Sequence, residues 1–150
     1  MTPPQAPRIR VLVVDDDDDT SVLLGIVLGR QGWGTTFAKD LPEARSALET
    51  GDFDALVTDL SLPGGSGLSL LSNGRPATLR AAVVMTGAGG DADRRESERR
   101  GFDAYLVKPF DAAELAALLV RLLGPRESKL PRGPAERGQD SGPRQVKDES

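Results

Sequence analysis

The 150-residue chain contains no cysteine and no histidine. The first absence excludes disulfides, thiolate nucleophiles and cysteine-ligated zinc. The second removes the commonest general base and the commonest transition-metal ligand. No stretch is long and apolar enough for a membrane span or a secretory signal, so a soluble cytoplasmic protein is the default expectation. The net charge of −4 is mild and no basic stripe is present, which argues against nucleic acid as a partner. The hydrophobic content of 38% is low for a compact domain, and the chain ends account for it. Residues 1–8 carry three prolines, and residues 124–150 are rich in Pro, Gly and mixed charge. Both read as disordered or linker segments. Residues 9–123 remain as one domain, long enough to bury a core.

Within that domain, short apolar runs alternate with helical patterns. Ile9–Val14, Thr35–Ala38, Ala55–Thr58, Ala81–Met85 and Phe102–Val107 read as strands. The spacing predicts a helix from Thr20 to Arg30, with Val22, Leu23, Ile26 and Val27 as its apolar stripe and Gly32 closing it. Asp40-Leu41-Pro42-Glu43 is a helix start, with an acid cap, an early proline and a returning Glu. Leu68, Leu70 and Leu71 begin a helix that Asn73-Gly74 cuts short. Asp91–Arg100 predicts a helix without large apolar residues; Arg95 and Glu98 stand where aliphatics would dock it, so weak packing and mobility are expected. Asp111-Ala112-Ala113-Glu114 reads as a second capping box before Leu115, Leu118, Leu119 and Leu122. Five strands alternating with five helices imply a doubly wound α/β fold, a parallel sheet with helices on both faces.

In open sheets of this kind, ligands bind outside the carboxyl ends of the strands. The residues just past four strand ends are Asp15-Asp16, Asp59, Thr86 and Lys108. Three acids held together repel one another, and a hard divalent cation relieves the repulsion. An all-oxygen shell favours Mg²⁺. An ammonium and a hydroxyl beside a metal and a carboxylate suit phosphoryl oxygens, and Asp59 is placed to act as a nucleophile that forms an acyl phosphate. The loop Pro63-Gly64-Gly65-Ser66-Gly67 lets the backbone come close to Asp59. No Gly-Lys-Ser/Thr phosphate loop follows it, and the Asp15–Asp19 run lacks the spacing of an EF-hand.

These motifs resemble the receiver domain of two-component response regulators. The resemblance rests on Val13-Val14-Asp15-Asp16, Thr58-Asp59 with Pro63 and Gly67 beyond it, Val84-Met85-Thr86-Gly87, and Tyr105-Leu106-Val107-Lys108-Pro109-Phe110, and covers about residues 9–123. It implies a flavodoxin-like sheet of order 2-1-3-4-5. It implies that Asp59 accepts a phosphoryl group from the phosphohistidine of a partner histidine kinase or histidine phosphotransfer protein; a chain without histidine is no donor itself. Asp16, Asp59 and the Ser61 carbonyl would hold Mg²⁺, with Asp15 acting mostly through water. Lys108 would pair with the phosphoryl oxygens, Thr86 and Tyr105 would form a switch pair, and Lys108-Pro109 would be cis. Ser61 and Ala88 would tune the phosphoryl lifetime, so weak autophosphorylation and autodephosphorylation are implied. The face of the fourth helix, fifth strand and fifth helix would meet a downstream protein.

Two other readings stay open at this point. Asp16-Asp17-Asp18-Asp19-Thr20 also fits the DxDxT pattern of haloacid-dehalogenase-like phosphatases, with Asp16 as nucleophile and Asp18 as acid/base, although the late paired acids of that family are missing. A receiver-like scaffold that works without phosphorylation is the other. The tail at 124–150 leaves open whether an output domain follows.

Overall fold

A computed structural model of the chain describes residues 8–87 and 90–124. The ends expected to be disordered, apart from Arg8 and Gly124, and the lifetime residue Ala88 lie outside the described residues. In chain order the elements are β1 (Arg10–Val14), α1 (Asp18–Gly29), β2 (Gly34–Ala38), α2 (Leu41–Thr50), β3 (Ala55–Asp59), β4 (Ser61–Leu62), β5 (Gly65–Ser66), a 3-10 helix (Gly67–Leu71), β6 (Ala81–Thr86), α3 (Asp91–Arg99), β7 (Ala104–Val107) and α4 (Ala112–Leu123).

β2-β1-β3-β6-β7 form one parallel sheet, which is the expected order 2-1-3-4-5 once the small β4-β5 pair is set aside. The central strands are buried on both faces, and successive residues alternate between two cores. Val11, Val13, Val57 and Val83 face α1 and α4 and pack with Leu24, Leu28, Leu115 and Leu119. Leu12, Val14, Leu56 and Val84 face the other way, onto Leu41, Ala44 and the leucines of the 3-10 helix. This two-sided burial is why the strands read as continuous apolar runs.

The helix starts follow their caps. Asp40 accepts from Glu43 N–H at 2.8 Å, while Glu43 Oε1 accepts from Lys39 N–H at 2.8 Å. Asp17 caps α1 through Thr20 N–H at 3.1 Å, so that helix begins two residues before the predicted Thr20. Asp111 occupies the cap position of α4, but its side chain makes no capping bond; Glu114 N–H donates to the Asp111 carbonyl at 2.9 Å instead, so the expected capping box does not form. Gly32, at φ 85, turns the chain after α1 as expected.

Three features differ from the sequence expectation. α1 turns Leu24 and Leu28 into the core, four residues apart, and leaves Val22, Leu23 and Ile26 at 61%, 52% and 50% exposure. The helix is apolar almost all round, so its pattern admits more than one buried face. The third predicted helix is a 3-10 segment, ended where Gly74 takes φ 97. The loop after Asp59 contains an antiparallel hairpin, Ser61↔Ser66 and Leu62↔Gly65, turned by Pro63-Gly64 with Gly64 at φ 98.

Candidate functional site

Sheet register sets the first contacts. Val14 pairs with Thr58, so the next residues, Asp15 and Asp59, stand abreast at the carboxyl ends of β1 and β3. Asp59 pairs with Met85 and Thr86 with Val107, which carries Thr86 and Lys108 to the same rim one residue further on. Lys108 N–H donates to the Thr86 carbonyl at 2.6 Å, extending the ladder past β7. The Lys108-Pro109 peptide is cis, as the family resemblance implied.

The side chains converge. Lys108 Nζ donates to Asp15 Oδ2 at 3.2 Å and to Asp59 Oδ2 at 3.3 Å. One carboxylate oxygen each from Asp15, Asp16 and Asp59 falls within 4.8 Å of the others. Asp15 is only 1% exposed and is also held by Asp17 N–H at 2.9 Å. Burial lifts the Asp15 carboxyl above its ordinary value; Asp17 N–H and Lys108 pull it down, Asp59 pushes it up, and the net shift is upward. Burial pushes the Lys108 ammonium down, but its hydrogen bonds and charge pairing with Asp15 and Asp59 outweigh that, and it ends above its ordinary value. One cation thus serves two carboxylates of a three-carboxylate cluster, and the cluster retains excess negative charge. That donor set, all oxygen and anionic, fits a hard divalent cation.

The remaining sequence candidates lie on neighbouring elements. Ser61 lies in β4, exposed, two residues beyond Asp59. Thr86 is 4% exposed at the end of β6. Tyr105 is half-buried on β7, and its hydroxyl accepts from Gly90 N–H at 3.3 Å. Asp17 is spent as a helix cap, and Asp18 is paired with Lys39 at 2.9 Å. Asp18 is therefore not a member of the cluster that a phosphatase of DxDxT type would need.

Of two supporting contacts, the loop glycines implied the first only as a close approach to Asp59, without its partners. Gly67 passes so close to β3 that its N–H donates to the Leu60 carbonyl at 2.7 Å, while Leu60 N–H reaches the Met85 carbonyl at 2.7 Å. Pro63-Gly64 was the available signal for the hairpin that shapes this crossing. The stack of Arg94 on Tyr105, with the guanidinium 5.1 Å from the ring centroid, has no sequence signal at all.

Comparison with known proteins bears on the family. Residues 11–120 match the response regulator receiver domain family. The chain belongs to that family. The response regulator protein PilR of Pseudomonas aeruginosa is 36% identical over 128 residues, which are 83% of this chain and 29% of PilR. The receiver therefore spans under a third of that relative's length. A CheY-like receiver domain protein from Methanospirillum hungatei superposes with a TM-score of 0.72 at 26% identity, covering 78% of this chain and 94% of that one. The receiver domain of a sensor histidine kinase from Pseudomonas aeruginosa, solved with a magnesium ion coordinated in its active-site cleft, gives 0.69 at 25% identity, covering 79% and 100%. The fold class and the two-component family drawn from the sequence are thus correct, and the phosphatase reading is not favoured. Among the described residues, no helix is long and apolar enough to cross a membrane.

Proposed function

We propose that this receiver takes a phosphoryl group onto Asp59 from the phosphohistidine of a partner kinase or phosphotransfer protein. The observation that carries the reading is Lys108 Nζ, within 3.2 and 3.3 Å of Asp15 and Asp59 at one rim. An Asp59 oxygen forms the new bond to phosphorus as the phosphorus–nitrogen bond breaks, its electron pair leaving with the donor imidazole. Lys108 stands ready to transfer its contact from Asp59 to a phosphoryl oxygen. Asp15, Asp16, Asp59 and the Ser61 carbonyl are the groups that would hold Mg²⁺. A bound Mg²⁺ supplies neutralisation of the charge shared between carboxylates and phosphoryl oxygens. Thr86 would donate its hydroxyl to the phosphoryl group and Tyr105 would turn in response. Ser61, small and exposed, would leave water access that limits the phosphoryl lifetime. The face of α3, β7 and α4 would then meet the downstream protein.

Incubation with acetyl phosphate and Mg²⁺, read by intact mass, tests this. The wild type should gain one phosphoryl group, Asp59→Asn should gain none, and Asp16→Asn should still be labelled at Asp59, more slowly. Labelling that survives Asp59→Asn and is lost with Asp16→Asn would overturn the assignment.

The donor face follows from α1. Val22, Leu23 and Ile26 are exposed, and Leu23 also lines a groove with Thr20, Lys108 and Phe110 beside the reacting rim. Asp18 and Asp19 edge the same helix, so the face suits an apolar helix flanked by basic residues. Ile26→Asp should slow transfer from the phosphohistidine partner by roughly tenfold or more. Labelling by acetyl phosphate, which needs no docking, should be unchanged. Equal rates from the partner in wild type and variant would remove α1 from the donor interface.

A further inference from the structure

We infer that Arg94 is the positioning residue that couples Tyr105 to the first turn of α3, so that ring and helix respond together to chemistry at the rim. The inference rests on the proposed switch role of Tyr105 and deepens it.

α3 is poorly anchored by apolar contact. Among its described side chains only Ser97 is buried, at 1% exposure, and Ser97 bonds to its own helix through the Arg94 carbonyl at 2.7 Å. The far end of the helix is tied by Phe102 N–H to the Ser97 carbonyl at 3.0 Å. The near end meets the sheet at Tyr105. Arg94 lies over its ring at 5.1 Å, and Gly90 N–H donates to its hydroxyl at 3.3 Å.

The other arginines near the end of α3 are engaged elsewhere. Arg99 pairs with Glu96, and Arg100 pairs with the same carboxylate at 2.7 Å. Arg94 forms no ion pair among the described residues, so its charge is available to the ring. Tyr105 pairs with Val84 in the sheet, two residues before Thr86, and residues 87–90 join Thr86 to α3. A shift at Thr86 and a turn of Tyr105 therefore act on the same end of the same helix. The stack makes the second of these connections specific to residue 94.

The chain has one tyrosine, so a ring-carbon-labelled tyrosine gives an NMR signal from Tyr105 alone. Beryllium fluoride with Mg²⁺ serves as the phosphoryl analogue. In the wild type the Tyr105 ring signal and the Ser97 amide should move together on its addition. In Arg94→Ala the ring signal should be displaced before addition. A stack of this exposed kind shifts an equilibrium about two- to fivefold, and the Ser97 response should fall by a similar factor. Arg94→Lys, which keeps a cation over the ring, should restore most of the response, which a purely structural role for Arg94 would not require.

Ring and Ser97 responses in Arg94→Ala equal to wild type would overturn the coupling while leaving the switch reading intact. If the analogue binds, shown by an Asp59 amide shift absent in Asp59→Asn, and the wild-type ring does not respond, the switch reading fails and the coupling with it.

Discussion

A Gly67→Ala variant is expected to lose about 3 kcal/mol of stability and to bind Mg²⁺ at least tenfold more weakly. A Cβ at Gly67 would overlap the Asp59 carbonyl oxygen and sit 2.6 Å from Thr58 Oγ1 and 3.2 Å from Thr58 Cγ2. None of these atoms is the free end of a flexible side chain. Thr58 is fully buried and its hydroxyl donates to the Asp59 carbonyl at 3.0 Å, so neither gives way alone. The segment at Gly67 is itself pinned, because its N–H donates to the Leu60 carbonyl at 2.7 Å. Relief comes only by moving the end of β3 or the crossing loop. Both carry residues of the proposed site, since Asp59 and Ser61 flank Leu60. A clash this severe is costlier than ordinary overpacking because the opposing atom is backbone in the central sheet.

Gly74→Ala is the control. Gly74 has φ 97 and open space around it, so alanine there meets only backbone strain. That costs about 1–2 kcal/mol and should leave Mg²⁺ affinity unchanged. Urea unfolding with and without Mg²⁺ measures both effects. Equal loss of stability in the two variants, with metal binding preserved in Gly67→Ala, would show that the loop yields without disturbing the site.

The contrast between these glycines shows what sequence reasoning reached. A glycine-rich loop after Asp59 implied a close backbone approach, but not that Gly67 was the point of approach or that the opposing atom was the Asp59 carbonyl. The strands were legible because a doubly covered sheet demands unbroken apolar runs, and the rim was legible because each run ends in a polar residue of definite chemistry. The buried face of α1 was not, because a helix with Val22, Leu23, Leu24, Ile26, Val27 and Leu28 gives no single polar side to read. The thin apolar content of α3 was plain in the sequence, and the structure agrees that Arg95 and Glu98 are exposed. What fastens its first turn to β7 was hidden, since a guanidinium over a ring depends on two elements brought together by the whole fold. The Asp111 cap shows the converse: a capping box in sequence whose side chain makes no cap bond, because a backbone bond from Glu114 N–H already serves that end.

Asp15→Asn is expected to make the metal-free protein more stable than wild type and to remove most of the stabilisation that Mg²⁺ confers, so that the ranking of the two proteins inverts on adding the ion. Asp15 is 1% exposed and shares its cluster with Asp16 and Asp59. Burial is the largest influence on its carboxyl, and the upward net shift means that the charged form is less favourable in the fold than in the unfolded chain. The native state therefore holds this proton more tightly. The stability that follows from it is complete below the ordinary value of 3.8 and is lost as pH rises through the raised native value. Above that raised value the loss is complete, and an amide of the same shape avoids it. The asparagine oxygen still accepts from Asp17 N–H; Lys108 gives up its bond to residue 15, whose amide nitrogen cannot accept, and keeps its contact with Asp59 at 3.3 Å.

With Mg²⁺ present the balance reverses, because a ligand that binds only the folded state adds about 2.7 kcal/mol at a hundred times its Kd. The wild type should gain this and Asp15→Asn little of it. Asp19→Asn, on the exposed first turn of α1, should change neither quantity by more than about 1 kcal/mol. Thermal unfolding across acid to neutral pH, with Mg²⁺ and with chelator, reads all of these differences. A metal-free Asp15→Asn protein less stable than wild type at neutral pH would mean that Lys108 and Asp17 N–H repay the burial of this carboxylate in full, and the electrostatic reason for a cation at the rim would be gone.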